Sequence, residues 1–401
     1  MKILIAGGGI GGLTAALACA HFGHEVLVFE QADALGDVGA GIQIPPNAMK
    51  VFRALGIAER IARDAVQPTA IETRMGLSGR TVFSVPLRDD RGEDLAANLW
   101  GAPYLHIHRA DYILALKDAL EDHPSITLKF GATVSAIDQT DLSVTLSLSD
   151  GTHYRGDLLI GADGLHSFVR TWMQGPDRPR FTGNIAWRAV VPVELLGADA
   201  PSATACAWMG PGRHAVTYQL RGGTLANFVG VVEQVEPIAE GWSARGRKAD
   251  ALNDFAGWHP TITKLIAAVP DDALFRWALY DRDPLSHWTQ GRVTLLGDAA
   301  HPMLPFLAQG AAMAVEDAWV LAAEITESDD LAAALQIYQA TRRPRTSRVQ
   351  AGSRKNAKTF HKRTPLSQLA TYGPMWLAGT VAPSLIRQHL SWLYGADVTR
   401  R

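Results

Sequence analysis

A chain of 401 residues, 47% apolar and 19% charged, has the make-up of a soluble globular protein and excludes a disordered one. Its 38 basic and 40 acidic residues leave a net charge of −2, which argues against nucleic acid as a partner. Two lone cysteines, Cys19 and Cys206, exclude a disulfide framework or a thiolate metal site and suit a reducing compartment.

The length favours two domains, or one domain with a large insertion. The first apolar run leads straight into glycines, unlike a signal peptide. The nearest approach to a membrane span, "MWLAGTVAPSLI" from Met375, is too short and contains Gly and Pro. The expectation is a cytoplasmic protein without a transmembrane segment.

The chain begins with "KILIAGGGIGGLTAALACAHFGHEVLVFE" (Lys2 to Glu30). Ile3 to Ile5 predict a buried strand, Leu13 to Phe22 a helix and Val26 to Phe29 a second strand. Gly7, Gly9 and Gly12 occupy G-x-G-x-x-G positions. The first permits a tight turn, the second lets backbone approach a pyrophosphate, and the third lets the helix pack on the strand. The helix N-terminus then offers unpaired N–H groups to phosphates. Glu30 ends the second strand, where an acid accepts hydrogen bonds from ribose hydroxyls and disfavours a 2′-phosphate. The reading is NAD or FAD rather than NADP, with a purely structural βα turn as the alternative.

Further along, His106 and His108 alternate on an expected strand without nearby partner ligands, so no metal site is expected. "DLLIGADGLHSFVR" (Asp157 to Arg170) predicts a strand over Leu158 to Ile160 that runs into Gly161, Asp163 and Gly164, with a helix from near Ser167. From Phe181 to Leu285, alternating and β-branched runs broken by "GPG" and "RGG" predict antiparallel hairpins. On "HAVTYQL", His214, Val216, Tyr218 and Leu220 share one face. Strand geometry sets the Cα atoms of His214 and Tyr218 about 13 Å apart, room for one aromatic ring. A histidine of ordinary pKa, near ~6.5, can take a phenol's proton around neutrality; the alternative is a half-buried sheet face. Trp187 and Arg188 are expected to border this region, and Arg188 suits a substrate carboxylate or a surface or structural role.

"RVTLLGDAAHPMLPFLAQG" then predicts a strand over Val293 to Leu296 closing on Gly297 and Asp298. Three strands thus end in glycine-containing turns, and in an open parallel sheet such ends converge on one crevice. Pro302 and Pro305 forbid a helix interior and predict an ordered loop. A helix starts from Gln309 or Gly310, with Ala311, Ala312, Val315, Ala318 and Trp319 on its packed face. His301 reads as packing against backbone. The basic stretch Arg342 to Arg363 reads as a solvated helix face, and the C-terminal aromatic segment as a packing or dimer helix.

"GGGIGG", "HRADY" (His108 to Tyr112), "GADGLHSFVR" and "GDAAHPMLPFLAQGAAMAVEDA" together resemble the single-component FAD-dependent aromatic hydroxylases, the class A flavoprotein monooxygenases. With "GAGIQIPPNAMKVFRALGI" from Gly39 and "WLYGAD" from Trp392, the chain is similar to the salicylate hydroxylase-like branch, which includes 3-hydroxybenzoate and 6-hydroxynicotinate monooxygenases. The resemblance runs from residue 1 to about 397. It implies an α/β fold: a Rossmann-type FAD-binding domain of the para-hydroxybenzoate hydroxylase kind, an inserted antiparallel β-sheet substrate domain, and C-terminal helices. The expected division is 1–75, 100–180 and 285–350 for FAD, 76–99 and 181–284 for substrate, and 351–401 for the last helices.

The resemblance also implies tightly but non-covalently bound FAD, NADH or NADPH as a transient reductant, and O2. Gly7, Gly9, Gly12 and Glu30 would hold the AMP half of FAD, and Arg109 its phosphates. Asp163 and Gly164 would lie beside the pyrophosphate, Gly297 and Asp298 at the ribityl chain, and Gln43 near the ring. Gly310 and Ala311, at the helix start, would bring backbone N–H groups to a reduced ring's negative charge. Pro305, on the proline loop, would wall off the oxygen chemistry from water. His214 and Tyr218 match the branch's substrate-handling pair. The implied reaction is hydroxylation of a small phenolic or hydroxylated N-heteroaromatic acid through a flavin C4a-hydroperoxide, by a monomer or homodimer. The alternatives are an FAD monooxygenase or epoxidase of larger polycyclic substrates, and a non-catalytic nucleotide-binding sensor.

Overall fold

The computed structural model describes residues 1–36, 40–235 and 244–400; Gly39, which opens one of the stretches quoted above, lies outside them. Lys2–Ala6 is apolar after Lys2 and buried, as a strand covered on both faces must be. It belongs to a six-stranded sheet. The order is Thr289–Gln290, Val293–Leu295, Leu158–Gly161, Lys2–Ala6, Glu25–Phe29 and Ile126–Lys129. All neighbours are parallel except the short edge strand Thr289–Gln290. Helices Ile10–His21 and Gly310–Glu327 pack on each other, and with the sheet they form the largest apolar core. A three-stranded meander, Val134–Gln139, Val144–Leu148 and His153–Gly156, also touches this sheet.

The second sheet has seven strands in the order Phe275–Asp281, Arg180–Pro192, Leu225–Glu233, Arg213–Leu220, Ala205–Gly210, Ala70–Met75 and Thr81–Pro86. It is antiparallel except where Ala205–Gly210 runs parallel to Ala70–Met75. Residue 75, an expected boundary, therefore falls between two strands of one sheet. Trp187, Trp208 and Phe228 form one core with Phe255, Trp258 and the helix Pro260–Ala268. Ala186, Val231, Trp277 and Leu279 form another with Leu304 and Phe306 of the proline loop. Both faces of the sheet are thus covered, and one of them meets the loop.

The helix Leu331–Phe360 runs unbroken across the expected boundary at 350/351, started by Asp330, whose side chain accepts from the Ala332 and Ala333 N–H groups. It corrects the solvated reading of the basic stretch, because Arg342, Thr346, Val349, Gln350 and Ser353 are buried. Arg342 donates to Glu316 at 2.6 Å and to Asp317 at 2.7 Å, and all three are buried. Arg345 adds a second cation on Glu316. Two adjacent buried carboxylates demand paired cations, and this helix supplies them. The last helices, Pro365–Val381 and Pro383–His389, leave Leu366, Leu369, Trp376, Leu377 and Leu385 exposed. No helix among the described residues is long and apolar enough to cross a membrane.

Candidate active site

The three glycine turns lie side by side, because Leu158–Gly161 pairs with Lys2–Ala6 on one edge and Val293–Leu295 on the other. Gly7 has φ +106°, and a Cβ there would overlap the Ala162 carbonyl; one at Gly12 would overlap the Gly7 carbonyl. Both positions therefore require glycine. Around a Cβ placed on Gly9 there is no described atom within 4 Å, so the loop's open side lies at that residue. Glu30 braces the loop: Gly8 N donates to its Oε2 at 2.8 Å and Ala32 N to its Oε1 at 2.9 Å.

Asp163 does something more local than the sequence suggested. Its Oδ1 accepts from Ser167 Oγ at 2.5 Å and its Oδ2 from Val169 N at 3.0 Å, so the carboxylate starts the helix Phe168–Gln174. What it leaves open is backbone, with Gly164 at φ +76° and no described atom within 4 Å of a Cβ placed there.

Asp298 is solvent-accessible yet surrounded by protein, as a residue at the foot of a cleft is. Burial pushes its carboxyl up, and His301 and Arg109 draw it back down. Arg109, held by its N–H on the Ala40 carbonyl at 2.9 Å, has its guanidinium lowered by burial and supported by Asp298. A Cβ on Gly310 would lie 3.9 Å from Asp298 Oδ1, which places the start of helix Gly310–Glu327 beside this pair. That helix has no side-chain cap, so its first N–H groups lack side-chain partners. Next to it, Asn47 Nδ2 donates to Gln309 Oε1 at 3.1 Å and to Glu316 Oε1 at 2.6 Å. Gln309 Nε2 and Asn47 Oδ1 are buried and find no partner among the described residues.

The proline loop is held from below. His301, read as packing on backbone, instead binds Asp317 through Nε2 at 2.5 Å. Gln350 Nε2 and Ser353 Oγ donate to the carbonyls of Pro302 and Leu304. Pro305 is exposed, Phe306 is buried, and Ala308 sits at φ +51°, a left-handed geometry that costs a non-glycine residue about 1–2 kcal/mol. Strain of this kind gathers at functional sites.

On the opposite sheet, Tyr218 and His214 are both buried. Tyr218 lies against Gly41, where a Cβ would overlap its ring, and against the His106 ring at 4.4 Å. Across the ladder is Asn227, whose Oδ1 accepts from Gly41 N at 2.7 Å. Gln43, on strand Gly41–Ile44, accepts from Tyr104 OH at 2.5 Å, just before the strand Leu105–His108 that pairs with it. Arg188 is buried, with its guanidinium 5.0 Å from the Trp277 ring centroid. Burial first, then Arg109, pulls it down to about 10, while Tyr218 supports it. This removes the surface role for Arg188. Its neighbour Trp187 points the other way, donating to Asp254 at 2.8 Å, as strand alternation requires. His214 packs on Phe306 at 4.9 Å and donates or accepts through Nδ1 with His361 Nε2 at 2.7 Å. Burial, then His361, takes its pKa well below 6.5, which corrects the expectation of an ordinary imidazole.

Asp298 supports Arg109, Arg109 opposes the charge on Arg188, and Tyr218 supports Arg188, so the four groups lie within electrostatic reach of their neighbours in that order. Sequence reasoning missed His361, Asn227, Asn47 and Gln309, because none carries a local pattern. Among the described residues there is no cluster of three or more His, Cys, Asp or Glu that could hold a metal.

The adjoining turns, the open Gly9, the accessible Asp298 and the uncapped helix start beside it are the features of a nucleotide-binding oxidoreductase. A family model described as FAD binding domain matches residues 1–353. The chain belongs to that family, and it is a class A FAD-dependent aromatic monooxygenase of the salicylate hydroxylase-like kind. It is similar to 3-amino-4-hydroxybenzoate 2-monooxygenase of Streptomyces platensis, 39% identical over 90% of this chain and 88% of the relative. It is 38% identical to 6-hydroxynicotinate 3-monooxygenase of Bordetella bronchiseptica, over 88% of this chain and 91% of the relative. Among solved structures, Klebsiella pneumoniae HpxO complexed with FAD and uric acid superposes with a TM-score of 0.84 at 30% identity, covering 98% of this chain and 97% of that one.

Proposed function

We propose that the protein hydroxylates a small phenolic or hydroxylated N-heteroaromatic acid, consuming O2, NADH or NADPH and a proton, and releasing the hydroxylated acid, NAD(P)+ and water. Gly7, Gly9, Gly12 and Glu30 would hold the adenosine half of FAD, with Arg109 and the Gly164 backbone at its phosphates. Asp298 and Gly297 would hold the ribityl chain. The helix start at Gly310 and Ala311, with Gln309, Asn47 and Gln43, would hold the ring. FAD bound there supplies the redox chemistry with O2 and the nicotinamide.

The observation that carries the substrate class is His214 on the same strand face as Tyr218, with Arg188 near Tyr218. Electrophilic hydroxylation is faster on a phenolate than on a phenol. His214 takes the phenolic proton. Tyr218 orients the ring oxygen by hydrogen bond. Arg188 receives the carboxylate, and a buried guanidinium is well suited to that anion. Pro305 and Phe306 shield the reacting ring from water. The relatives named for an aminohydroxybenzoate and a hydroxynicotinate support an acid bearing a ring oxygen.

The test is a panel of 3-hydroxybenzoate, salicylate, 6-hydroxynicotinate and 3-amino-4-hydroxybenzoate, scored by NADH oxidation and product mass. At least one acid should give coupled turnover, and Arg188→Met should raise its KM about 10- to 100-fold. Equal turnover on a neutral phenol would remove the carboxylate from the account.

A further inference from the structure

His214 is not the end of its hydrogen-bond chain. Its Nδ1 meets His361 Nε2 at 2.7 Å, and His361 Nδ1 meets Glu233 Oε1 at 3.0 Å. Glu233 also pairs with Arg363. The series runs from the interior outward: His214 is 1% exposed, the His361 side chain 4%, Glu233 33% and Arg363 70%. Glu233, His361 and Arg363 line a surface cleft of about 690 Å³. The groups come from three separate elements: the strand Arg213–Leu220, the strand Leu225–Glu233, and the residue just after helix Leu331–Phe360.

The carboxylate at the outer end dictates the proton positions. An ionised Glu233 only accepts, so His361 carries its proton on Nδ1 and presents a bare Nε2. His214 must then donate from Nδ1, which leaves its own Nε2 unprotonated. Glu233 therefore makes His214 a base at the nitrogen turned away from His361. Without that chain the buried ring could adopt either tautomer, and a proton gained there would stay in an apolar shell formed by Phe306 and Phe360.

We propose that His214, His361 and Glu233 form a proton relay that carries the substrate's phenolic proton from the buried pocket to the solvent cleft. The inference rests on the reading of His214 as the substrate's base. The phenol O–H bond breaks as an N–H bond forms at His214 Nε2. The Nδ1 proton of His214 passes to His361 Nε2, and the Nδ1 proton of His361 passes to Glu233, which gives it to water. One proton enters and one leaves, and each ring ends neutral in the alternate tautomer. After hydroxylation a proton from water re-enters through Glu233, the His214 Nε2 proton passes to the product's phenolate oxygen, and both rings return to their starting tautomers. His361 and Glu233 are positioning and relay residues that do not touch substrate. The charged groups around His361 are Glu233, Arg363 and Arg213.

The test uses the oxidised holoenzyme and 3-hydroxybenzoate, with no reductant, and follows phenolate appearance by rapid-mixing absorbance. His361→Ala should slow that step about 10- to 100-fold, while the dissociation constant moves less than about threefold. Free imidazole, admitted through the cleft, should restore the rate. Glu233→Gln should slow it as well, and serves if His361→Ala loses FAD. Phenolate appearing at the unaltered rate in both variants, or loss without imidazole rescue, overturns the relay. If His214→Ala also leaves the rate unaltered, the base assignment itself falls, and the two failures are told apart.

Discussion

His301 Nε2 lies 2.5 Å from Asp317 Oδ2, sixteen residues along the chain. That bond ties the start of the proline loop to the second turn of helix Gly310–Glu327, whose first residue lies beside Asp298. The same carboxylate accepts from Gly297 N at 3.1 Å and from Arg342 Nε at 2.7 Å. One buried anion thus sets the strand-end turn, the loop and the helix together.

Arg342→Leu should therefore be severely destabilising. It leaves Glu316 and Asp317 buried with fewer cations, and breaking a buried pair from one side costs about 3–5 kcal/mol. Denaturant unfolding of the apoprotein checks this. A loss below about 1 kcal/mol would mean that Arg345 on Glu316, with His301 and Gly297 N on Asp317, suffices for the two carboxylates. Burial alone would raise Asp317, but His301 and Arg342 hold it at about 2. Its folded-state value is depressed, so its contribution is fully present above the unfolded value near ~3.9 and is lost as pH falls toward about 2.

A second acid effect begins at milder pH. Burial takes His106 from its usual 6.5 to about 3 and places His214 well below 6.5. Between those limits the unfolded chain binds protons that the folded chain refuses, so stability falls as pH drops below 6.5. The slope is about 1.4 kcal/mol per pH unit for each ring. Thermal unfolding from pH 7.5 to 5 should show it, and His106→Gln should lower the slope by about 1.4 kcal/mol per pH unit. A flat profile would contradict the burial of both rings.

The glycine loop separates folding from binding. Gly12→Ala should disrupt the apoprotein, because the new methyl overlaps the Gly7 carbonyl. Gly9→Ala meets no described atom, so the apoprotein should keep its melting temperature while FAD binding weakens at least about tenfold. Titration of apoprotein with FAD, read by flavin fluorescence, decides it. Unchanged FAD affinity in Gly9→Ala would move the pyrophosphate elsewhere.

Asp298→Ala should likewise lose FAD, about 10- to 100-fold in affinity, since it removes a charge-paired acceptor at the foot of the cleft. Arg109→Ala should behave similarly because the two side chains support each other. Ultrafiltration of the yellow protein measures retention, and full retention in both variants would contradict the cofactor placement.

The first glycine turn was legible because its signals are local. Gly7, Gly9, Gly12 and Glu30 fall within one strand–helix–strand unit, and each has a steric or hydrogen-bonding reason at fixed spacing. The crevice was legible for the same reason, since three strand ends carried the same turn chemistry. Arg342 was misread because its exposure depends on Glu316 and Asp317, which lie on another helix. The local role of Asp163 was not legible, because its partners Ser167 and Val169 belong to an ordinary helix start. The relay was invisible, because His214 and His361 stand 147 residues apart and no periodicity joins them.

The central claim is that oxygen from O2 enters an aromatic acid bound between these sheets. Turnover of the holoenzyme with NADH and the acid panel under 18O2 tests it most directly, by the mass of the product. The account predicts one oxygen-18 atom in the hydroxylated acid, with Asp298→Ala inactive unless excess FAD is added. NADH oxidised to hydrogen peroxide at the same rate with every acid, and no labelled product, would contradict it.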